Sequence, residues 1–167
     1  MSTKQKTIEK TKAIEIIEFD NADPEHARAF YELNAKWIEK YFKIEDIDIK
    51  VLSNPQKSII EKKGYILFAK INNKIVGTVA LSPTKKDEYE LHKFAVNENF
   101  QGYGAGKELI ESILNIAKQH RAKNIYLSCN TMLHKALSIY RKFGFIDSYT
   151  PKNTKYKRCD ISMELSL

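Results

Sequence analysis

The chain has 167 residues, 43% of them hydrophobic and 29% charged, a balance that suits one soluble globular domain and argues against disordered, fibrous or membrane-spanning classes. Its 28 Lys and Arg residues against 21 Asp and Glu give a net charge of +7, which attracts phosphate in any form but names no partner. Two cysteines, Cys129 and Cys159, and four scattered histidines show no metal-ligand spacing, so reduced thiols and no metal are expected.

Residues 1–11 hold Lys4, Lys6 and Lys10 and no apolar signal-peptide core; they read as a flexible lead-in and point to a cytoplasmic protein. A single domain is expected over 12–167. Its first strand, 12–19, alternates apolar and charged residues, and 21–24 supplies turn and helix-start chemistry. From 25 to 42, Ala29, Phe30, Leu33, Trp37, Ile38 and Tyr41 recur at helical spacing as a core-facing stripe. Glu45, Asp46 and Asp48 follow as an acidic patch, either the wall of a pocket for a cationic group or a solvated loop. Ser53-Asn54-Pro55 then opens a short helix over 56–62.

Residues 65–71 and 74–81 are β-rich and meet at Asn72-Asn73, a pair able to take the positive dihedrals of a tight hairpin. After a turn at 82–87, residues 89–96 add a third antiparallel strand. An amphipathic helix over 107–120 carries Leu109, Ile110, Ile113, Leu114 and Ala117 on one face and leads to a buried strand at 124–129. That connection is long enough for a parallel crossover, so the sheet is mixed. A helix at 132–143, closed by Gly144, precedes strands at 145–149 and 156–165, which a basic loop around Pro151 joins. The fold class is therefore α/β (mixed α+β): a twisted mixed sheet of about seven strands flanked by about four helices.

Glycines concentrate where strand becomes helix, in Gln101-Gly102-Tyr103-Gly104-Ala105-Gly106. A helix start offers N–H groups without intrahelical partners and partial positive charge, and glycine lets backbone and ligand approach closely, so the junction reads as an oxyanion-binding loop. Two familiar phosphate motifs fail. A nucleotide P-loop needs Gly where Gln101 stands and Ser or Thr where Glu108 stands; the dinucleotide fingerprint meets Lys107 or Leu109 at its third position, depending on the starting glycine.

Gln101, Gly104 and Gly106 instead match the pattern Gln or Arg, two residues, Gly, one residue, then Gly or Ala. In this the chain resembles the GNAT superfamily of acetyl-CoA-dependent N-acetyltransferases. Glu90-Leu91-His92-Lys93-Phe94-Ala95-Val96 is similar to that family's central strand, and the segment from Ala136 to Phe145 to its later helix and strand start. The resemblance implies that the backbone of Phe94, Ala95 and Val96 pairs with the pantetheine arm of acetyl-CoA in a gap between splayed strands. Backbone amides of Gln101, Gly102, Tyr103, Gly104, Ala105 and Gly106 would hold the pyrophosphate. Asn130 meets pantetheine or serves only as a turn residue.

The same resemblance places Tyr140 beside the sulfur as a general acid, although periodicity alone would make it a core aromatic. Glu90 is the candidate general base; an exposed strand position or surface ion pair explains it equally well. Ser128 stands where ribosomal-protein acetylating relatives carry a glutamate, which sets that substrate class apart. With no nucleophile motif at a Cys or Ser, direct attack by a primary amine in a ternary complex is expected. The acceptor is a small-molecule or protein amine, with Trp37, Tyr41, Phe42 and the acidic patch suggesting a cationic or aromatic one. A non-catalytic acyl-CoA-binding or sensing module is the alternative. Neither nucleic acid nor membrane is an expected partner, and a homodimer and a monomer both fit.

Overall fold

A computed structural model of the protein describes residues 13–148 and 155–167. Seven strands form one sheet in the order β1-β2-β3-β4-β5-β7-β6. They are β1 (Ile14–Glu18), β2 (Tyr65–Ile71), β3 (Lys74–Lys85), β4 (Glu88–Val96), β5 (Asn124–Cys129), β6 (Ile146–Asp147) and β7 (Ile161–Ser166). Every neighbouring pair is antiparallel except β4 and β5, which the crossover helix makes parallel. The helices are α1 (Pro24–Tyr41), α2 (Asp46–Leu52), α3 (Ala105–Gln119) and α4 (His134–Lys142).

Period-two alternation on β2 sorts the core into two layers. Leu67, Ala69 and Ile71 face one cluster with Leu109, Ile110 and Ile113 of α3, while Ile66 and Phe68 face a second with Phe30 and Ile38 of α1. Each fully buried Leu, Ile or Phe contributes about 1.5–3 kcal/mol, so both sheet faces are pinned and register is strongly set. Asp23 caps α1 by accepting the Glu25 N–H at 2.9 Å, with Pro24 in the first turn where its missing N–H costs nothing.

Several boundaries differ from the sequence expectation, each for a local reason. Residues 46–52, expected as an acidic connection, form α2, because Glu45 and Asp48 make a reciprocal capping box. The expected helix at 56–62 is a single π-helical turn, Gln56–Ile60, which Asn54 caps through its side chain. Strand β3 runs on to Lys85, leaving only a tight turn at Asp87, whose φ of 60° is left-handed. Helix α4 starts at His134 and β7 only at Ile161. The lead-in and the loop around Pro151 lie outside the described residues.

Candidate active site

Strands β4 and β5 pair over only three residues, Glu88 to Glu90 against Asn124 to Tyr126. Beyond Glu90 they part: β5 stays paired with β7 as far as Cys129, and β4 stays paired with β3 as far as Val96. A register shift against β3 accompanies the split, with Lys93 and Phe94 together opposite the single residue between Thr78 and Ala80. Lys93 has a φ of 54°, a left-handed value that costs a lysine about 1–2 kcal/mol. This is a β-bulge, and it turns the β4 edge from Leu91 to Val96 toward an open cleft.

That cleft is a cavity of about 790 Å³, lined on one side by residues 90–96 and on the other by Ser128, Cys129 and Asn130. Gln101, Gly102, Gly104, Ala105 and Gly106 close one end. Gly102 and Gly104 have φ of 87° and 91°, which only glycine adopts without strain. No acceptor among the described residues takes the N–H groups of Gly102, Tyr103 or Gly104, and the first N–H groups of α3 add to them. Donors left in this way at a helix start fit a pyrophosphate. Gly106 serves packing, since a Cβ there would stand 3.1 Å from Cζ of Phe94.

Tyr140, on α4, projects into the same cavity, with its ring 6.0 Å from Phe94 and 5.9 Å from Phe145. Its hydroxyl has no hydrogen-bond partner among the described residues. Burial, reinforced by the neighbouring Cys129 and Cys159 thiols, raises its pKa well above the ordinary tyrosine value, so the phenol stays protonated. Glu90 lies across the cleft on β4, where it accepts from the Tyr126 hydroxyl at 3.3 Å. Burial raises its pKa; Lys155, the Tyr126 hydroxyl and Lys93 oppose that shift without cancelling it. Thus the cavity holds a proton donor and a carboxylate of increased basicity.

Asn130 lines the cavity with its amide already engaged at both ends: Nδ2 donates to the Arg158 carbonyl at 2.7 Å, and Oδ1 accepts the Met132 N–H at 2.9 Å. Burial pushes the Cys129 thiol up to about 11, away from thiolate nucleophilicity. His92 also lines the cleft, and burial, with the charges of Lys93 and Lys155, depresses its pKa to about 3, leaving a neutral ring bonded to the Ser82 hydroxyl at 2.8 Å.

The acidic patch is not a pocket for an external cation. Asp48 is fully buried and bonded by Lys93 Nζ at 2.8 Å and by both terminal nitrogens of Arg158 at 2.6 and 2.8 Å. Glu45 accepts from Arg158 and from the Lys157 backbone N–H, and only Asp46 is exposed. Lys93, Arg158 and Tyr156 thus belong to the cleft wall although no local sequence pattern marks them. Lys93 stands in the strand segment that carries the family resemblance, and Tyr156 and Arg158 in the strand expected over 156–165, with nothing in either to single them out as site residues.

The acetyltransferase (GNAT) family model matches residues 19–145, three-quarters of the chain, and includes both the bulged strand and the glycine loop. The chain belongs to that family. Among curated relatives, an uncharacterized N-acetyltransferase, YvbK, of Bacillus subtilis is 30% identical over 102 residues, which cover 59% of this chain and 65% of that protein. The N-alpha-acetyltransferase RimI of Mycobacterium tuberculosis is 36% identical over 69 residues, 41% of this chain and 42% of its own length. The chain therefore spans only about half the length of several curated relatives it matches.

Solved structures agree on the fold over nearly the whole chain. A GNAT acetyltransferase of Staphylococcus aureus Mu50 superposes with a TM-score of 0.82 at 22% identity, covering 92% of this chain and 99% of that one. The PaiA N-acetyltransferase of Thermoplasma acidophilum, solved in complex with coenzyme A, gives 0.70 at 16% identity, with coverage of 93% and 99%. The expected mixed sheet of seven strands and the GNAT resemblance are both borne out.

Proposed function

We propose that the chain transfers an acetyl group from acetyl-CoA to a primary amine by direct attack in a ternary complex. The observation that carries this reading is the cleft itself: a bulge-opened β4 edge runs from free N–H donors at the glycine loop to a buried carboxylate and a protonated tyrosine. Acetyl-CoA supplies a thioester carbonyl when bound. Backbone groups of Phe94 and Val96 are available along the open edge to an extended amide-bearing arm, Ala95 between them facing β3, and residues 102–106 offer their amides to its diphosphate, the Gln101 N–H being taken by the Glu98 carbonyl.

An alkylammonium near pKa 10.4 must lose a proton, which costs about 4–5 kcal/mol at pH 7. Glu90, made more basic by burial, takes that proton directly or through water. The phenol of Tyr140, kept protonated, can donate a hydrogen bond or its proton to the departing sulfur. Cys129, held as a thiol, offers no ready route through an acetyl-enzyme. Free-thiol release from acetyl-CoA, measured against amines, polyamines, amino acids and peptides, tests the proposal. Amine-dependent release supports it, isolation of a stable acetyl-enzyme overturns the direct attack, and tight acetyl-CoA binding without release to any acceptor favours a sensing module.

A further inference from the structure

Charges on the cleft wall are segregated along its length. Lys107, next to Gly106, and Lys135, which donates to Gln101 Oε1 at 3.3 Å, line the end shared with the glycine loop, and Lys142 lies further along α4 on the same cavity. Toward the other end, Lys93 and Arg158 each stand 4.5 Å from the ring centre of Tyr156, and Asp48 binds both cations. Glu45 accepts at 3.2 Å from Nη1 of Arg158, the same nitrogen that donates to Asp48. Among the described residues, Glu90 is the one carboxylate lining the cavity, and no described cation lies within ion-pair distance of it. Exposed Lys155 and the Asp48-bound Lys93 influence Glu90 only through space.

We infer that the acceptor is a small primary amine on an apolar, ring-sized body without a carboxylate, and that Asp48, with Glu45 on Arg158, enforces this by neutralising Lys93 and Arg158. The inference rests on the acyl-transfer reading of the site. An incoming ammonium meets one counter-charge, Glu90, and its body meets Trp37, Ile38, Phe42 and Tyr156. An amino acid would bring a carboxylate to a wall whose two buried cations are already satisfied, so it would lose its water and gain at most exposed, solvent-screened Lys155. A polyamine would bring further ammonium groups to a cavity with no second carboxylate among the described residues.

Calorimetric titration of the coenzyme A-loaded protein with 2-phenylethylamine, phenylalanine, spermidine and an amidated peptide with a free N-terminus tests this. The expected result is 2-phenylethylamine binding at least tenfold tighter than each of the others. Equal or tighter binding of any of the three, or no binding of 2-phenylethylamine, overturns the inference about the acceptor. Asp48→Asn, which removes the neutralising charge and keeps the shape, is expected to tighten phenylalanine binding at least tenfold. If that variant unfolds cooperatively and shows no such gain, the role of Asp48 falls; if it does not fold, the wild-type series still decides the acceptor class. Binding of 2-phenylethylamine without thiol release from acetyl-CoA would overturn the acyl-transfer reading while leaving the binding inference standing.

Discussion

Lys93 Nζ lies 2.8 Å from Asp48 Oδ1, joining a left-handed residue of the central strand to a helix 45 positions earlier in the chain. The pair is shielded from solvent, with the Lys93 side chain 4% exposed and the Asp48 side chain 0%. Lys93 therefore holds its bulge from the outside, through α2, and Arg158 brings the segment before β7 to the same carboxylate.

Removing one partner of such a pair leaves a buried charge short of compensation. Lys93→Met is expected to lower unfolding free energy by about 3–5 kcal/mol, read from urea denaturation. Lys93→Arg should recover part of that loss. Wild-type stability in Lys93→Met would show that the bulge stands without the pair.

Burial alone would raise the Asp48 pKa, but hydrogen bonds from Arg158 and Lys93 outweigh it and bring the group to about 2, below its ordinary 3.8. Its folded pKa being the lower one, the stability it adds is complete above about pH 4 and fades as the pH falls toward 2. A series of unfolding curves between pH 5 and 2 should show the wild type losing stability more steeply than Asp48→Asn. Parallel curves would refute the assignment.

Glu90 acts as a base only when ionised, and burial raises its pKa. The acid limb of the kcat/KM profile is thus expected above the ordinary carboxylate value of 4.5, with activity rising as the pH climbs through it. Glu90→Gln should lose that limb and about 10²–10⁴ in rate. An unchanged limb in the variant would move the base elsewhere.

Tyr140→Phe keeps the ring contacts with Phe94 and Phe145 and removes only the hydroxyl. Turnover is expected to fall by about 10² while acetyl-CoA affinity, measured by fluorescence or calorimetry, stays within threefold. Turnover at the wild-type level would leave the tyrosine a core aromatic.

At Gly104 an added Cβ meets nothing nearer than Ile14 Cδ1 at 3.8 Å, so space is not the obstacle; the φ of 91° is. Gly104→Ala should cost about 1–2 kcal/mol, and it should weaken acetyl-CoA binding more than it lowers Tm by tilting the free amides at the start of α3. Undiminished acetyl-CoA affinity would separate that geometry from ligand binding.

Local chemistry in the sequence was enough for the elements that repeat it. The β-rich run at 65–71, the Asn72-Asn73 turn and the helical stripe after Gly106 depend on neighbours a few residues away, and the structure reproduces all three. The glycine loop was legible for the same reason, as a short ordered pattern, whereas Tyr140 was singled out by the family resemblance and by periodicity read as a core aromatic. Tertiary structure alone decided the electrostatics of the cleft. Glu45 and Asp48 read as free acids until folding brought Lys93 and Arg158 onto them from 45 and 110 residues away. The basicity of Glu90 and the neutrality of His92 arise from burial, which a strand pattern cannot reveal for a residue at the edge of a split sheet. Desolvation and long-range ion pairing act through space, so they become definite only when the whole chain has packed.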